Sequence, residues 1–252
     1  MSRADLKPVI QELVNLPSRG LIYRKIPKKF SIRPLTVNEL KMLYGASNTM
    51  HVLDNIIQSV VDVEDFPVEE LLAGDRMYLA YMIRAVTFGP EYTVKPYCSV
   101  CKDIKTIEFD LTKDIEIDYL PDDFKNPRSI GNLPVCGDEI EIKLLTGKDF
   151  ERILNRSKEI RNKFPDYQGD PMYPVTLATQ ISSINGERLT SRDKEEYVLD
   201  LHAKDDIYIT QKIKEVQCGP KMPIELECPD CGATLYARIE LSEDFFRPEL
   251  EF

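Results

Sequence analysis

Two short cysteine pairs lie far apart in the chain, Cys98-Ser-Val-Cys101 and Cys228-Pro-Asp-Cys231. Two residues between the cysteines let one tight turn aim both sulfurs at one point, so two such turns supply the four thiolates of a tetrahedral metal site. Gly232 follows the second pair and readily takes the positive φ a metal knuckle needs, whereas Lys102 stands at that place in the first. The same residues also allow unrelated buried thiols, a rubredoxin-like iron site or two redox pairs. Redox CxxC pairs open helices, but the first pair is flanked by strand-like alternation, Tyr92-Thr-Val-Lys95 before it and Ile107-Glu-Phe-Asp-Leu111 after it. The leading expectation is therefore one structural zinc (Zn2+) held by Cys98, Cys101, Cys228 and Cys231, with Fe behind it. Four thiolates close the coordination shell and leave no position for a reactive water, so the metal would support folding rather than catalysis.

No other constellation carries chemistry. The chain has no P-loop, no Gly-rich dinucleotide loop, no GxSxG elbow and no HExxH motif. His51 and His202 fall in helical stretches without a motif around them. The acid pairs Glu69-Glu70 and Asp205-Asp206 lie at helix starts, where the dipole accounts for them. No catalytic residue is assigned, and Cys136 and Cys218 read as plain buried thiols.

The elements that must position the cysteines repeat. Shifting the chain by 130 residues, the distance from Cys98 to Cys228, also superposes Asp75, Tyr78, Ile83, Val86, Gly89 and Pro90 on Asp205, Tyr208, Ile213, Val216, Gly219 and Pro220. Upstream, Phe30-Ser-Ile-Arg-Pro-Leu-Thr-Val-Asn-Glu-Leu40 matches Ile140-Glu-Ile-Lys-Leu-Leu-Thr-Gly-Lys-Asp-Phe150 at a shift of 110, the distance from Leu35 to Leu145. Each copy then reads as strand, capped helix, further helices, a Gly-Pro helix stop and a strand-knuckle-strand hairpin. Thr36-Val-Asn-Glu39 and Thr146-Gly-Lys-Asp149 are the helix caps. Further helices are expected over Val52 to Val61 and from Thr190 to Leu201, with a tight turn at Asn185-Gly186. The helix before Gly89 is apolar nearly all round (Met77, Ala80, Tyr81, Met82), so a second cover is expected on it, either the N-terminal arm or another subunit.

The fold expected is α+β: two related strand-helix-knuckle halves in a pseudo-twofold arrangement, sharing a zinc-ribbon-like four-cysteine site. Its parts are a basic N-terminal arm over residues 1-29, a first half with one knuckle over 30-118, a linker over 119-138 and a second half with the other knuckle over 139-252. The arm carries an apolar stripe at helical spacing, Leu6, Val9, Ile10, Leu13 and Val14. Residues 162–174 read as a surface loop.

Composition narrows the class. The chain has 252 residues, a net charge of −10 and 42% hydrophobic residues, those of an ordinary globular protein. Its longest apolar run, Met77 to Ile83, is cut by Arg84, too short for a membrane span. The N-terminus shows no signal-peptide core, which points to a reducing cytosol and to thiols rather than disulfides. The net acidity argues against nucleic-acid binding.

The opening Leu16-Pro-Ser-Arg-Gly-Leu-Ile-Tyr23, the run from Phe30 to Leu40, Ile184-Asn-Gly186, Cys228-Pro-Asp-Cys-Gly232 and the ending Asp244-Phe-Phe-Arg-Pro248 together resemble the tail baseplate hub assembly proteins of T4-like contractile-tailed bacteriophages. The resemblance implies a non-enzymatic protein in assembly or structure of the central hub. Its partners would be other hub and tail proteins, including the tape-measure protein, with no nucleic acid and no membrane span. It would act in the host cytoplasm during assembly and stand in the virion tail baseplate. The resemblance supplies no catalytic residue. The other reading the residues allow is a zinc-ribbon module that binds nucleic acid or works with transcription.

Overall fold

The computed structural model describes residues 11–13, 16–27, 30–43, 49–239, 241 and 244–246. Arg3, Lys7, Lys28 and Lys29 of the basic arm, Leu6, Val9, Ile10 and Val14 of its stripe, and Tyr44, Arg247 and Pro248 lie outside them.

The first part of the chain runs β1 (Gln11–Leu13), β2 (Phe30–Ile32), α1 (Val37–Leu43), α2 (Thr49–Val60), α3 (Ala73–Phe88), β3 (Glu91–Val94), β4 (Tyr97–Cys98), β5 (Asp103–Ile104), β6 (Ile107–Asp110) and β7 (Ile117–Asp118). There follow β8 (Arg128–Asn132), β9 (Glu139–Ile142), α4 (Gly147–Lys163), α5 (Met172–Gln180), β10 (Ile181–Ile184), α6 (Ser191–Asp200), α7 (Ala203–Lys214), β11 (Gly219–Pro220), β12 (Ile224–Glu227) and β13 (Thr234–Ala237). The result mixes helices with small antiparallel sheets, the largest being β10-β9-β8. Leu13 belongs to a strand paired with β2, not to a helix, because Gln11 faces Ile32 and Leu13 faces Phe30 along an antiparallel ladder. The ladder satisfies backbone groups that an isolated short helix would leave to water.

Matching contacts recur at the shifted positions. Gln11 faces Ile32 as Arg128 faces Ile142. Arg33 donates its backbone N–H to the carbonyl of Val60 (3.0 Å), and Lys143 donates to that of Gln180 (2.7 Å). α3 and α7 start at Ala73 and Ala203, a shift of 130; six and ten positions on, Leu79 and Ile83 in one and Ile209 and Ile213 in the other form the shared core stripe. Asp75 and Asp205 are both completely buried in the first turns of these helices. Asp75 accepts the N–H of Ser18 (2.9 Å) and the hydroxyl of Tyr23 (2.5 Å); Asp205 accepts the N–H groups of Val135 (2.8 Å) and Cys136 (3.1 Å). Ser18 and Val135 occupy the same place in Leu16-Pro-Ser-Arg-Gly20 and Leu133-Pro-Val-Cys-Gly137. A buried carboxylate needs such donors, so each aspartate fixes one of these loops to the start of a helix.

Among the described residues two large cores form, beside a small cluster of Cys98, Cys228 and Leu235. One joins Leu16, Ile26 and residues from β2 to Ile115 with Ile224, Ala237, Ile239, Phe245 and Phe246 from the far end of the chain. The other collects Leu72, Leu120, Phe124 and Leu133 with the apolar positions of β9, α5, β10, α6 and α7. The second cover on α3 is therefore the chain's own C-terminal turn, Asp244–Phe246, and no second subunit is needed for it. The Phe245 ring lies 5.6 Å from that of Tyr81 and 4.8 Å from that of Phe246.

One expected helix stop is not one. Gly89 does cap α3, with φ +99° and its N–H on the carbonyl of Ala85, but α7 ends at Lys214, before Gly219. Gly219-Pro220 instead forms β11, paired with Ile117–Asp118. Its neighbour explains the glycine: a Cβ on Gly219 would stand 2.5 Å from the Cα of Gly74 at the start of α3. The other caps form as the residues suggest. Thr146 and Asp149 make a full capping box, Thr190 caps α6, and Asn185-Gly186 turns with both φ angles positive.

Candidate metal centre

The two knuckles hang from hairpins with identical pairing. Val94 faces Ile107 in one and Ile224 faces Ala237 in the other, each pair shifted by 130 residues. In the first, the ladder resumes with Tyr97 opposite Ile104 and Cys98 opposite Asp103. In the second, the N–H of Cys228 bonds the carbonyl of Ala233 at 2.8 Å and the N–H of Gly232 bonds that of Cys228 at 2.9 Å. Period-two alternation turns Val94 and Cys98 inward on one arm, and Ile224 and Cys228 on the other. Gly232 takes φ +70° as expected; Lys102 takes φ +56° at the same place despite its side chain. The turn geometry overrides the residue's preference.

All four predicted ligands come together. Their sulfurs lie within 4.8 Å of one another, and the contacts cross between knuckles: Cys98 to Cys231 at 3.8 Å and Cys101 to Cys228 at 3.8 Å. A tetrahedral ion with metal–sulfur bonds near 2.3 Å has sulfur–sulfur edges of about 3.8 Å. A disulfide would need about 2.05 Å. Neither pair opens a helix, since each sits in a hairpin turn, so the feature that activates redox CxxC pairs is missing here. Cys98 and Cys228 are buried; Cys231 is exposed, at the rim.

The electrostatics favour a cation. The N–H of Cys101 donates to the Cys98 sulfur (3.4 Å) and draws that thiol down to about 7. The thiol of Cys101 moves the other way, pushed up chiefly by its contact with Cys231 and further by burial and by Cys228. Four thiolates crowded together repel, and a divalent ion at their centre removes the conflict.

A residue that the motif does not announce reinforces the junction. Lys105 has its side chain almost fully buried, and its ammonium bonds Asp103 (2.9 Å) in its own hairpin and Asp230 (2.6 Å) in the opposite knuckle. These bonds, Asp230 first, raise its pKa. The signal available in sequence is parity: Lys105, between β5 and β6, falls on the same alternation as Ile107 and Phe109, and the position shifted by 130 is the buried Leu235. A lysine pointing inward requires an acidic partner.

The remaining candidates stay apart from the cluster. His51 lies in α2, and His202 is the N-cap of α7, its Nδ1 accepting the N–H of Lys204 (3.2 Å). Cys218 is half-buried beside the Gly74–Gly219 contact, and Cys136 is exposed, contrary to the expectation of a buried thiol, because it turns outward in the loop tied to Asp205. Among the described residues, no helix is long and apolar enough to cross a membrane.

A family model described as T4 bacteriophage base plate protein matches residues 12–247. No curated protein and no solved structure matches the chain. The match spans nearly the whole sequence, and the chain belongs to the T4 bacteriophage base plate protein family.

Proposed function

We propose that this family member is a non-enzymatic structural protein that acts in assembly or structure of the central hub of the phage baseplate, with one zinc ion joining its two halves. Family membership over residues 12–247 carries the tail assignment. The zinc reading rests on four sulfurs at tetrahedral spacing, two from each hairpin. On this reading the two matching hairpins meet about a pseudo-twofold axis at the ion. The ion supplies folding energy on the order of 10 kcal/mol, comparable with the net stability of a whole domain. Its partners are other hub and tail proteins, the tape-measure protein among them. Exposed Glu225 and Glu227 near the second knuckle oppose binding of phosphate groups there and favour a protein partner.

The test is capture of the tagged chain from infected host cells, with mass spectrometry of co-purifying proteins and of purified virions. Tail proteins together with presence in virions would support a baseplate component; the same partners with absence from virions would support an assembly factor that leaves. Polymerase or ribosomal partners would overturn the assignment. Elemental analysis of the purified chain separately decides the metal: one zinc per chain is expected, and iron or none rejects it.

A further inference from the structure

A cleft of about 510 Å³ opens between α4, α5 and α6, remote in sequence from both knuckles. Its floor is apolar, formed in part by Val175 and Ala178. Its walls carry five cationic residues, Lys143, Arg152, Arg156, Arg192 and Lys194, against the two acids Asp149 and Glu195. Glu159 and Glu196 just outside the lining also pair with Arg156 and Arg192, which leaves the cleft with a small excess of positive charge in a chain of net charge −10.

The repeat separates what is structural here from what is not. Lys143 bonds Asp149 (2.6 Å), just as Arg33 bonds Glu39 (3.1 Å) 110 residues earlier, so this pair serves the helix cap in both copies. Arg156 is occupied in a bidentate pair with Glu195, and Arg192 bonds Glu196. Among the described residues, two of these cations are the least firmly paired. Arg152 has only Asp149 at 3.8 Å, which already serves Lys143, and it is largely exposed. Lys194 is half-buried with its ammonium on the carbonyl of Ile181 (2.8 Å). Burial, and after it the charge of Lys143, lowers the pKa of Lys194 against the opposing pull of Asp149. The backbone N–H groups at the start of α6 add positive potential, because Ser191 and Arg192 line the same opening.

We infer that this cleft is a docking site for an acidic, partly apolar segment of a partner protein, with Arg152 and Lys194 taking its carboxylates and Val175 and Ala178 its apolar side chain. The volume falls in the range of built ligand sites, and an apolar floor beneath weakly paired cations matches carboxylate side chains interleaved with an aliphatic one. A small inorganic anion would leave that floor uncovered.

The probe is a fluorescein-labelled peptide of six glutamates interrupted by two leucines, titrated into the full-length protein with fluorescence anisotropy as the readout. Binding that weakens about tenfold in Arg152→Glu and in Lys194→Gln is expected, together with the weakening by salt that surface charge contacts show. Lys158→Glu makes the same charge change as Arg152→Glu on α4 outside the cleft and should shift affinity less than about twofold. Circular dichroism melts of each variant establish that it folds. Equal losses in Arg152→Glu and Lys158→Glu would overturn the site, as would no binding by the folded wild-type chain. Displacement of the peptide by inorganic phosphate as effective as by unlabelled peptide would also reject it, in favour of a simple anion site. The assay reads neither virion content nor zinc, so its failure is distinct from failure of the hub assignment.

Discussion

At the scale of single residues, two positions show how the fold constrains side-chain choice. Lys102 occupies a left-handed conformation where the matching knuckle has Gly232. Lys102→Gly should therefore stabilise the protein by about 0.5–1 kcal/mol, the relief of left-handed strain less the entropy a glycine adds to the unfolded chain. Thermal denaturation at constant zinc should show a rise of about 2 °C. Gly74 has the opposite sensitivity: a Cβ there would fall 1.7 Å from the carbonyl oxygen of Cys218, a backbone atom held by the neighbouring strand. Gly74→Ala should cost about 3 kcal/mol or more, seen as a large loss in urea midpoint. Sequence reading located the four cysteines and the glycine difference between knuckles, because metal ligation leaves a fixed local spacing. It passed over Gly74, since nothing near it in sequence announces that Cys218 and Gly219 will lie against it.

At the scale of elements, the helix caps illustrate what local pattern conveys. Thr36-Val-Asn-Glu39 and Thr146-Gly-Lys-Asp149 both start helices, and each acid is held by a cation six residues before it. Burial alone would raise the Glu39 pKa, but bonds from Arg33 and Thr36 outweigh it and bring it from the usual 4.5 to about 2. A carboxylate depressed in the folded state contributes stability that is complete above its unfolded pKa and is lost as pH falls through the folded one. Stability of the wild type should thus decline between about pH 4.5 and 2, and Glu39→Gln should flatten that decline when denaturant melts are compared across the range. Thr146→Val should remove the matching cap at a cost of about 1 kcal/mol, read by the same melts. The strand at Gln11–Leu13 and the two Leu-Pro-x-x-Gly loops were not legible in this way. A strand of three residues has no measurable period, and the loops repeat at a shift of 117, the distance from Leu16 to Leu133, hidden between stretches related by other shifts.

For the whole molecule, connection between ends of the chain is the main structural theme. Ile224, Ala237, Ile239, Phe245 and Phe246 complete a core whose other buried members come before residue 116, and the cysteine cluster joins the same two regions. With the proposed zinc in place, Cys98→Ser and Cys228→Ser should each lose the metal and most of the folded population, although they lie in different hairpins. Zinc at full stoichiometry in either purified variant would reject a shared ion. Deletion of residues 1–29 should also unfold the chain, because it removes Leu16 and Ile26 from the core and strips Asp75 of both its donors; circular dichroism decides this. Covering of α3 by Phe245 was beyond sequence pattern, since amphipathicity shows that a face is covered and not by what. The crossed sulfur contacts also set an order in time. On a ribosome adding roughly 5–20 residues per second, Cys98 and Cys101 are made on the order of ten seconds before Cys228 and Cys231. During that interval a nascent chain offers any metal only half a chelate, and tight loading waits until the second hairpin has emerged. Ion capture would then act as a checkpoint on synthesis, retaining its metal only in chains translated at least as far as Cys231.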